Sequence, residues 1–196
     1  GPYMRIIGCV VAGVMLMLLV IYPLLIFLFT RQNPYKVLWL CREPILTAFL
    51  TRSSSATLPV SLRTAEHVLH IKRELCSFSL PLGATINMDG VCVHLPVFAI
   101  LAANMFNIEM TTYSLLVLVI SITFAAVGPG GLPGGSVFLL FMVLANMGLN
   151  DAQTMLIAAL ALGINPVLDM FETACNVAGD NVCSYIIGKR NNMMNE

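Results

Sequence analysis

The residues of this sequence best suited to ion or solute chemistry lie in one late segment. At offsets of zero, three, four, seven and eleven they are Asp169, Glu172, Thr173, Asn176 and Asp180. On an α-helix with about 3.6 residues per turn these positions share one face, so the segment predicts a polar stripe that carries three acids. Carboxylates at membrane depth are costly and indicate a path or site for ions or a polar solute. A soluble amphipathic helix with a solvated acidic face is the alternative interpretation.

The composition favours the membrane interpretation. Hydrophobic residues make up 58% of the chain and charged residues only 10%, with ten basic and ten acidic residues. Soluble domains carry about 25% charge, so the composition predicts an integral membrane protein. The zero net charge argues against nucleic acid as a partner. His94 lies in an apolar run and is predicted to be a packed residue rather than a ligand.

The sequence predicts an all-α membrane protein with segments in the order span, hairpin, broken span, hairpin, broken span. These are a transmembrane helix at 1–31, a first re-entrant hairpin at 35–71, a broken transmembrane helix at 74–106, a second re-entrant hairpin at 110–149 and a terminal broken transmembrane helix at 151–188. The hairpin arms are too short to cross a bilayer, which takes about 20 residues. A hairpin followed by a broken helix occurs twice, which is typical of inverted-repeat secondary transporters.

Three polar interruptions support this order. The first hairpin has a Ser-rich tip at 51–57, and the second has a tip rich in Gly and Pro at 128–136. The second tip predicts a flexible lid, because Gly and Pro cost about 1 and 3 kcal/mol in a helix interior. An ordinary loop outside the membrane is the alternative for each tip. The break at 85–90 contains Asn87, Asp89 and a glycine, and such breaks expose backbone carbonyls to sodium.

Charge in the connectors predicts the orientation. The connectors at 31–42, 63–73 and 189–190 carry Lys and Arg, whereas those at 104–114 and 146–153 carry none. The positive-inside rule therefore predicts a cytoplasmic C-terminus and a second hairpin that enters from the outside.

Three stretches carry a resemblance to a known family. Thr51 to Pro59 reads TRSSSATLP, Pro81 to Gly90 reads PLGATINMDG, and Asn176 to Asp180 reads NVAGD. In order and spacing they resemble the signatures of the glutamate and neutral amino acid transporter family, the dicarboxylate/amino acid:cation symporters. The resemblance extends over the whole chain, which corresponds to the C-terminal, transport-domain half of a family member.

The resemblance implies a multi-pass symporter of the plasma (inner) membrane rather than an enzyme. It implies an amino acid as substrate, sodium ions as the coupling ions and an elevator-type movement of the transport domain. The N-terminal scaffold half, which forms a homotrimer in the family and supplies part of one sodium site, is expected to be missing from this chain.

The resemblance implies sodium ligands at six positions, namely Gly83, Thr85, Asn87, Asp89, Asn176 and Asp180. One ion would be held by Gly83, Asn87, Asn176 and Asp180. A second would be held by Asp89 and Asn87, together with ligands from the missing half. Thr85 and carbonyl groups of the second tip would line a third. Hard oxygen donors suit a small hard cation.

The resemblance also implies a substrate site at nine positions. These are Ser54, Ser55, Val91, Gly134, Ser136, Asp169, Glu172, Thr173 and Asn176. Asp169 would bind the substrate ammonium group and Asn176 the α-carboxylate. Ser54 and Ser55 would present N–H groups at a half-helix N-terminus, whose dipole favours the same carboxylate.

Two departures from the acidic amino acid transporters predict the substrate class. Glu172 replaces the Arg that holds the acidic side chain, and Val91 replaces a Thr. An acid repels what an Arg fork would bind, so a small neutral substrate such as serine, threonine or alanine is predicted. The Glu-Thr-Ala pattern also resembles bacterial sodium-coupled serine/threonine transporters. Arg52 is predicted to pair with Glu172 and leave a neutral pocket.

Several alternatives stay open at this point. Arg52 could itself face an acidic substrate, with sodium or proton coupling, or Glu172 could bind a cationic amino acid. An intramembrane aspartyl protease could pair Asp89 with Asp180, although two flexible re-entrant tips would have no use there. A channel would show conductance without saturable uptake.

Overall fold

The structure is a computed structural model that describes residues 2–128 and 133–195. Within those ranges the regular elements are helices, and one isolated bridge pairs Ile71 with Met194. The helices are α1 (Pro2–Leu16), a π-helical turn (Met17–Ile21), α2 (Tyr22–Thr30), α3 (Pro34–Leu40), α4 (Arg42–Thr51), α5 (Ser54–His67), α6 (Arg73–Ile86), α7 (Asp89–Phe106), α8 (Thr112–Ala125), α9 (Gly135–Asn146) and α10 (Asp151–Arg190).

Three stretches are long and apolar enough to cross a membrane. They are Tyr3–Thr30, Arg73–Phe106 and Asp151–Arg190. The predicted all-helical membrane protein is thereby confirmed. The helices α8 and α9 are also apolar but shorter, at 14 and 12 residues. The re-entrant character of the two hairpins, in which each enters and leaves the membrane on the same side, stays a prediction.

The turn of the first hairpin is tighter than the Ser-rich stretch at 51–57 suggests. Arg52 ends α4 in a left-handed conformation with φ of 54°, and its N–H donates to the Ala48 carbonyl at 2.8 Å. Ser53 then caps α5, because its hydroxyl accepts from the Ala56 N–H at 3.2 Å. Serine is a favoured N-cap, so the serines start a new helix at Ser54 instead of extending the loop.

The predicted break in the second span lies between α6 and α7. Asn87 and Met88 leave the helical conformation, with ψ angles of 88° and 54°. Helix α6 therefore ends, and α7 begins, in the interior of one long apolar stretch. The last C=O groups of α6 and the first N–H groups of α7 need partners from elsewhere.

The prediction of a second broken helix at 151–188 is wrong. Helix α10 runs unbroken through 40 residues, with Pro166 in its interior. An interior proline removes one helical hydrogen bond and crowds the preceding turn, but helices that cross a membrane tolerate it where neighbouring groups satisfy the freed backbone. Its polar side chains find partners on other elements, so they do not require the backbone to leave the helical ladder.

Helix α10 lies at the centre of the fold. It contacts α1 to α7 and α9. Residues 172–182 are buried without interruption, so this part of the helix is enclosed on every side. Two hydrophobic clusters flank it: one contains Phe98 and Leu140, and the other contains Tyr22 and Leu80. The polar stripe predicted from the sequence therefore faces protein.

Gly90 allows the closest approach between α7 and α10. A Cβ atom at this position would lie 2.5 Å from the carbonyl oxygen of Glu172 and 2.6 Å from its Cα. Both are backbone atoms, which cannot rotate away. The two helices can therefore pack at this distance only with glycine at position 90.

Substitution Gly90→Ala is expected to destabilise the protein by about 1 to 3 kcal/mol, because the helices must separate. Gly163→Ala in α10 is the matched control, since nothing lies within 4 Å of a Cβ there. Alanine at position 163 should be neutral or stabilise the helix by up to about 1 kcal/mol. Thermal unfolding in detergent measures both variants. Equal midpoints for the two would contradict the close packing.

Candidate functional site

A small cavity lies where the first hairpin, the break between α6 and α7, the start of α9 and the middle of α10 meet. Its lining residues are Arg52, Ser54, Met88, Val91, Gly135, Ser136, Asp169, Glu172, Thr173 and Asn176. Seven of the nine substrate residues predicted from the sequence are among them. Ser55 and Gly134 are not, and Gly135 lines the cavity instead. The volume of about 20 Å³ accommodates roughly one water molecule.

Two hydrogen bonds tie the start of α9 to α10 at the rim of this cavity. The Gly134 N–H donates to Asp169 Oδ2 at 3.1 Å. The Ser136 hydroxyl donates to Asn165 Oδ1 at 3.4 Å. Gly134 has a left-handed φ of 75°, a conformation that glycine adopts without strain. The second hairpin is thus held on the residue predicted to bind the substrate ammonium.

Asn176 connects α10 to the helix break. Its Oδ1 accepts from the Gly90 N–H at 2.7 Å, and its Nδ2 donates to the Met88 sulfur at 3.4 Å. The first bond satisfies one of the N–H groups left without a helical partner at the start of α7. Asn176 therefore fixes the geometry of the break and lines the cavity at the same time.

Glu172 is paired with His94 and not with Arg52. Glu172 Oε1 contacts His94 Nδ1, and both side chains are almost fully buried. Position 94 lies one helical turn after Gly90, so the close approach at Gly90 carries the imidazole onto Glu172. Arg52 is only half-buried and makes no ion pair with Glu172 in the described part of the chain. The predicted Arg52–Glu172 pair is therefore wrong.

Four predicted sodium ligands lie together beside the cavity. Asn87 Nδ2 donates to Asp180 Oδ1 at 2.9 Å and to the Asn176 carbonyl at 3.3 Å. Gly83 faces the Asp180 carboxylate at close range. The side-chain amide of Asn87 therefore bridges the Asp180 carboxylate and the Asn176 carbonyl.

Asp89 is held by a residue that the sequence interpretation missed. The Tyr22 hydroxyl donates its one hydrogen to Asp89 Oδ2 at 2.7 Å, and the Cys175 carbonyl oxygen lies 3.0 Å from the same hydroxyl oxygen. A Cβ at Gly179 would lie 2.7 Å from both Tyr22 Oη and Asn87 Nδ2, so these polar groups converge over that glycine. Tyr22 directly follows the π-helical turn, a feature that often occurs at functional sites.

Thr85 is separate from this cluster. Its side chain is exposed, and its hydroxyl donates to the Leu82 carbonyl at 2.7 Å within α6. The remaining ligands implied for the third sodium belong to the second tip, where residues 129–132 lie outside the described residues.

The sequence profile of the sodium:dicarboxylate symporter family matches residues 1–190. This chain belongs to that family. The resemblance derived from the three signatures is thereby confirmed.

Three relatives show the range of the symporter family. The chain is 36% identical over 179 residues to the serine/threonine transporter SstT of Bifidobacterium adolescentis, covering 91% of the chain and 41% of the relative. It is 35% identical over 176 residues to the neutral amino acid transporter B(0) of Mus musculus, covering 90% and 31%. It is 34% identical over 189 residues to the excitatory amino acid transporter 3 of Mus musculus, covering 96% and 35%.

The chain thus spans less than half the length of each of these relatives. All three are named as transporters and none as an enzyme. The prediction that the chain is not an enzyme is confirmed by its membership in this symporter family.

Substitution Tyr22→Phe is expected to destabilise the protein by about 1 to 3 kcal/mol, because it removes the hydrogen bond from a buried hydroxyl to the half-buried carboxylate of Asp89. Tyr35→Phe is the control, since the Tyr35 hydroxyl also donates to a carbonyl, that of Leu19, but the residue is 60% exposed. Its effect should stay within about 0.5 kcal/mol. Thermal unfolding compares the variants. A Tyr22 variant as stable as the Tyr35 variant would show that the bond to Asp89 contributes nothing.

Proposed function

We propose that the full-length protein is a sodium-coupled symporter of small neutral amino acids and that this chain supplies its transport domain. One observation carries the proposal. Asn176 belongs to both sites at once, since its carbonyl lies in the oxygen cluster with Asp180 while its side chain lines the cavity. Ordering either site therefore orders a wall of the other, which is the physical requirement for coupled binding.

The oxygen cluster suits sodium. The Asp180 carboxylate and the Asn176 carbonyl already share one positively polarised group, the amide of Asn87. Rotation of that amide by a half turn would present its own oxygen to a cation in the same place. Sodium prefers such hard oxygen donors. Asp89, with Asn87 beside it, would hold a second ion, completed by the scaffold half. Thr85 and carbonyl groups of the second tip would form a third sodium site.

The cavity suits a small zwitterion without a charged side chain. Asp169 would bind the ammonium group. The N-terminus of α5 at Ser54 and the Asn176 amide, which both line the cavity, would bind the α-carboxylate. Glu172 in the cavity wall disfavours glutamate and aspartate by charge repulsion. The serine/threonine and neutral amino acid transporters among the relatives support this substrate class.

The second hairpin would act as the lid. With about 20 Å³ of space, the cavity admits an amino acid only if the start of α9 moves away. A substrate ammonium at Asp169 would replace the Gly134 N–H that now occupies its carboxylate. Opening therefore breaks the two hydrogen bonds that join the start of α9 to Asp169 and Asn165. The ammonium group of a bound substrate would then neutralise the charge of Asp169.

The loaded domain would then move as a rigid body in an elevator-type transition against the scaffold half. This proposal includes the scaffold half and a homotrimeric assembly. It also includes residence in the plasma (inner) membrane and a cytoplasmic C-terminus. The basic residues Lys189 and Arg190 at the end of α10 support the orientation.

The test is uptake of labelled serine, alanine, aspartate and lysine by the full-length protein in proteoliposomes, with and without an inward sodium gradient. Sodium-driven uptake of serine and alanine, with little uptake of aspartate or lysine, is expected. Preferred aspartate would mean that Arg52 recognises an acidic side chain. Conductance without saturable uptake would indicate a channel and overturn the proposal.

Substitution Asp180→Asn is expected to lower sodium-driven uptake at least tenfold, because the cluster loses its charge while keeping its shape. Asp151→Asn is the matched control, since Asp151 lies exposed in the first turn of the same helix. It should retain uptake within twofold. If the Asp180 variant keeps the sodium dependence of the unmodified protein, the oxygen cluster is not a sodium site.

A further inference from the structure

A second cavity lies at the C-terminal end of α10, away from the candidate site. Its volume is about 410 Å³, which is within the range of pockets that bind small molecules. The connector after α2, helix α3, the connector after α5, the end of α10 and the last described residues form its walls. Its polar lining residues are Gln32, Asn33, Lys36, His70, Lys189 and Asn195. We call it the basic cavity.

The charges that line the basic cavity are of one sign. Lys36 and Lys189 are positive, and none of the lining residues that the structure describes is Asp or Glu. Neither lysine forms an ion pair within residues 2–128 and 133–195. Two acids of the neighbouring helices, Glu66 and Glu74, are not part of the lining. Because like charges that share a cavity repel each other, an anion bound between the lysines would be stabilised by both.

One wall of the basic cavity is held in place by hydrogen bonds. Residues 191–195 form a strap that crosses the connector after α5. The Lys72 N–H donates to the Met193 carbonyl at 2.9 Å, and the Asn195 N–H donates to the His70 carbonyl at 2.7 Å. His70 has a left-handed φ of 56° at this contact. The strap therefore fixes the shape of the basic cavity before a ligand binds, which lowers the entropic cost of binding.

The position of the basic cavity relative to the membrane limits the ligand. Three stretches long enough to span a membrane each have one end close in sequence to a lining residue, at Thr30, Arg73 and Arg190. The cavity thus lies at the level where a span meets the lipid headgroups. In the proposed orientation this is the cytoplasmic side, where the leaflet carries anionic lipids.

The apolar part of the lining favours a lipid over a free anion. Val37, Leu40, Val68 and Leu69 line the basic cavity beside the lysines. Helix α3 also exposes Trp39, at 68% of its surface, and tryptophan is enriched where proteins meet the membrane–water interface. A ligand with an anionic group and an apolar body contacts both kinds of lining. A free phosphate ion would leave the apolar part without a contact.

We propose that the basic cavity binds the headgroup of an anionic phospholipid, with the lipid phosphate between Lys36 and Lys189 and the start of the acyl chains against the apolar lining. The bound lipid joins α3, the connector after α5 and the end of α10, so it stabilises their contact. The inference goes beyond the proposed function, and its failure would leave sodium-coupled uptake untouched.

The first test compares ligands on the unmodified full-length protein in detergent. Thermal unfolding is followed while dioctanoyl phosphatidylglycerol, dioctanoyl phosphatidylcholine or inorganic phosphate is titrated. The apparent Kd for phosphatidylglycerol should be at least fivefold lower than that for phosphatidylcholine, and added salt should reduce this difference. Equal Kd values for the two lipids would overturn the inference, because the headgroup charge would then contribute nothing. Inorganic phosphate that binds as tightly as phosphatidylglycerol would assign the cavity to a soluble anion and overturn the lipid.

The second test locates the site. The double variant Lys36→Gln with Lys189→Gln should raise the Kd for phosphatidylglycerol at least tenfold and change that for phosphatidylcholine less than twofold. Lys72→Gln with Arg73→Gln is the matched control, since it removes two charges from the same end of the molecule outside the lining. The control should stay within twofold for both lipids. Equal losses in the two double variants would mean that overall surface charge attracts the lipid, which overturns the inference. If the first double variant does not fold, its two single variants give the same decision.

Hydrogen exchange gives a readout that does not depend on stability. Phosphatidylglycerol should slow exchange of the Lys72 and Asn195 amides at least twofold, because both belong to the strap that forms a wall of the basic cavity. Phosphatidylcholine should leave their exchange unchanged. Exchange at both amides that is unaffected by saturating phosphatidylglycerol would place the lipid elsewhere and overturn the inference.

Discussion

The structure depends on one constraint, which is that polar groups at membrane depth must find partners inside the protein. Helix α10 places five polar side chains in a stretch that is enclosed on every side. The hydrogen-bond partners of these side chains must come from elements with polar tips or with backbone N–H and C=O groups that are not used within a helix. The break between α6 and α7, the first hairpin and the start of α9 supply them, and this explains why these irregular segments meet at the middle of α10.

The same constraint explains why the oxygen cluster and the cavity are neighbours. Asn176 is satisfied by the N–H of Gly90 on one side, while its carbonyl receives Asn87 on the other. Any change in one site alters the hydrogen bonds of this residue. Because the two sites share this buried residue, the coupling that we propose between them would follow from the need to keep Asn176 hydrogen-bonded.

The sequence predicted the parts of this site that depend on helical periodicity. The offsets from Asp169 to Asp180 place those side chains on one face, and the Asn-Met-Asp stretch marks the break. Contacts between elements were not predictable in this way. The pair of His94 with Glu172 depends on the glycine that brings two helices together, and Tyr22 reaches Asp89 from a distant helix. The available signal for Tyr22 was the presence of a tyrosine inside an apolar span, because a buried tyrosine hydroxyl usually finds a hydrogen-bond partner.

The central claim is that sodium and substrate bind to one energetically connected site. Serine affinity of the full-length protein, measured by titration in detergent at a series of sodium concentrations and constant ionic strength with potassium, tests it directly. The account predicts that the apparent Kd for serine falls at least tenfold as sodium rises, and that serine strengthens sodium binding by the same factor. A serine affinity that is independent of sodium would contradict it.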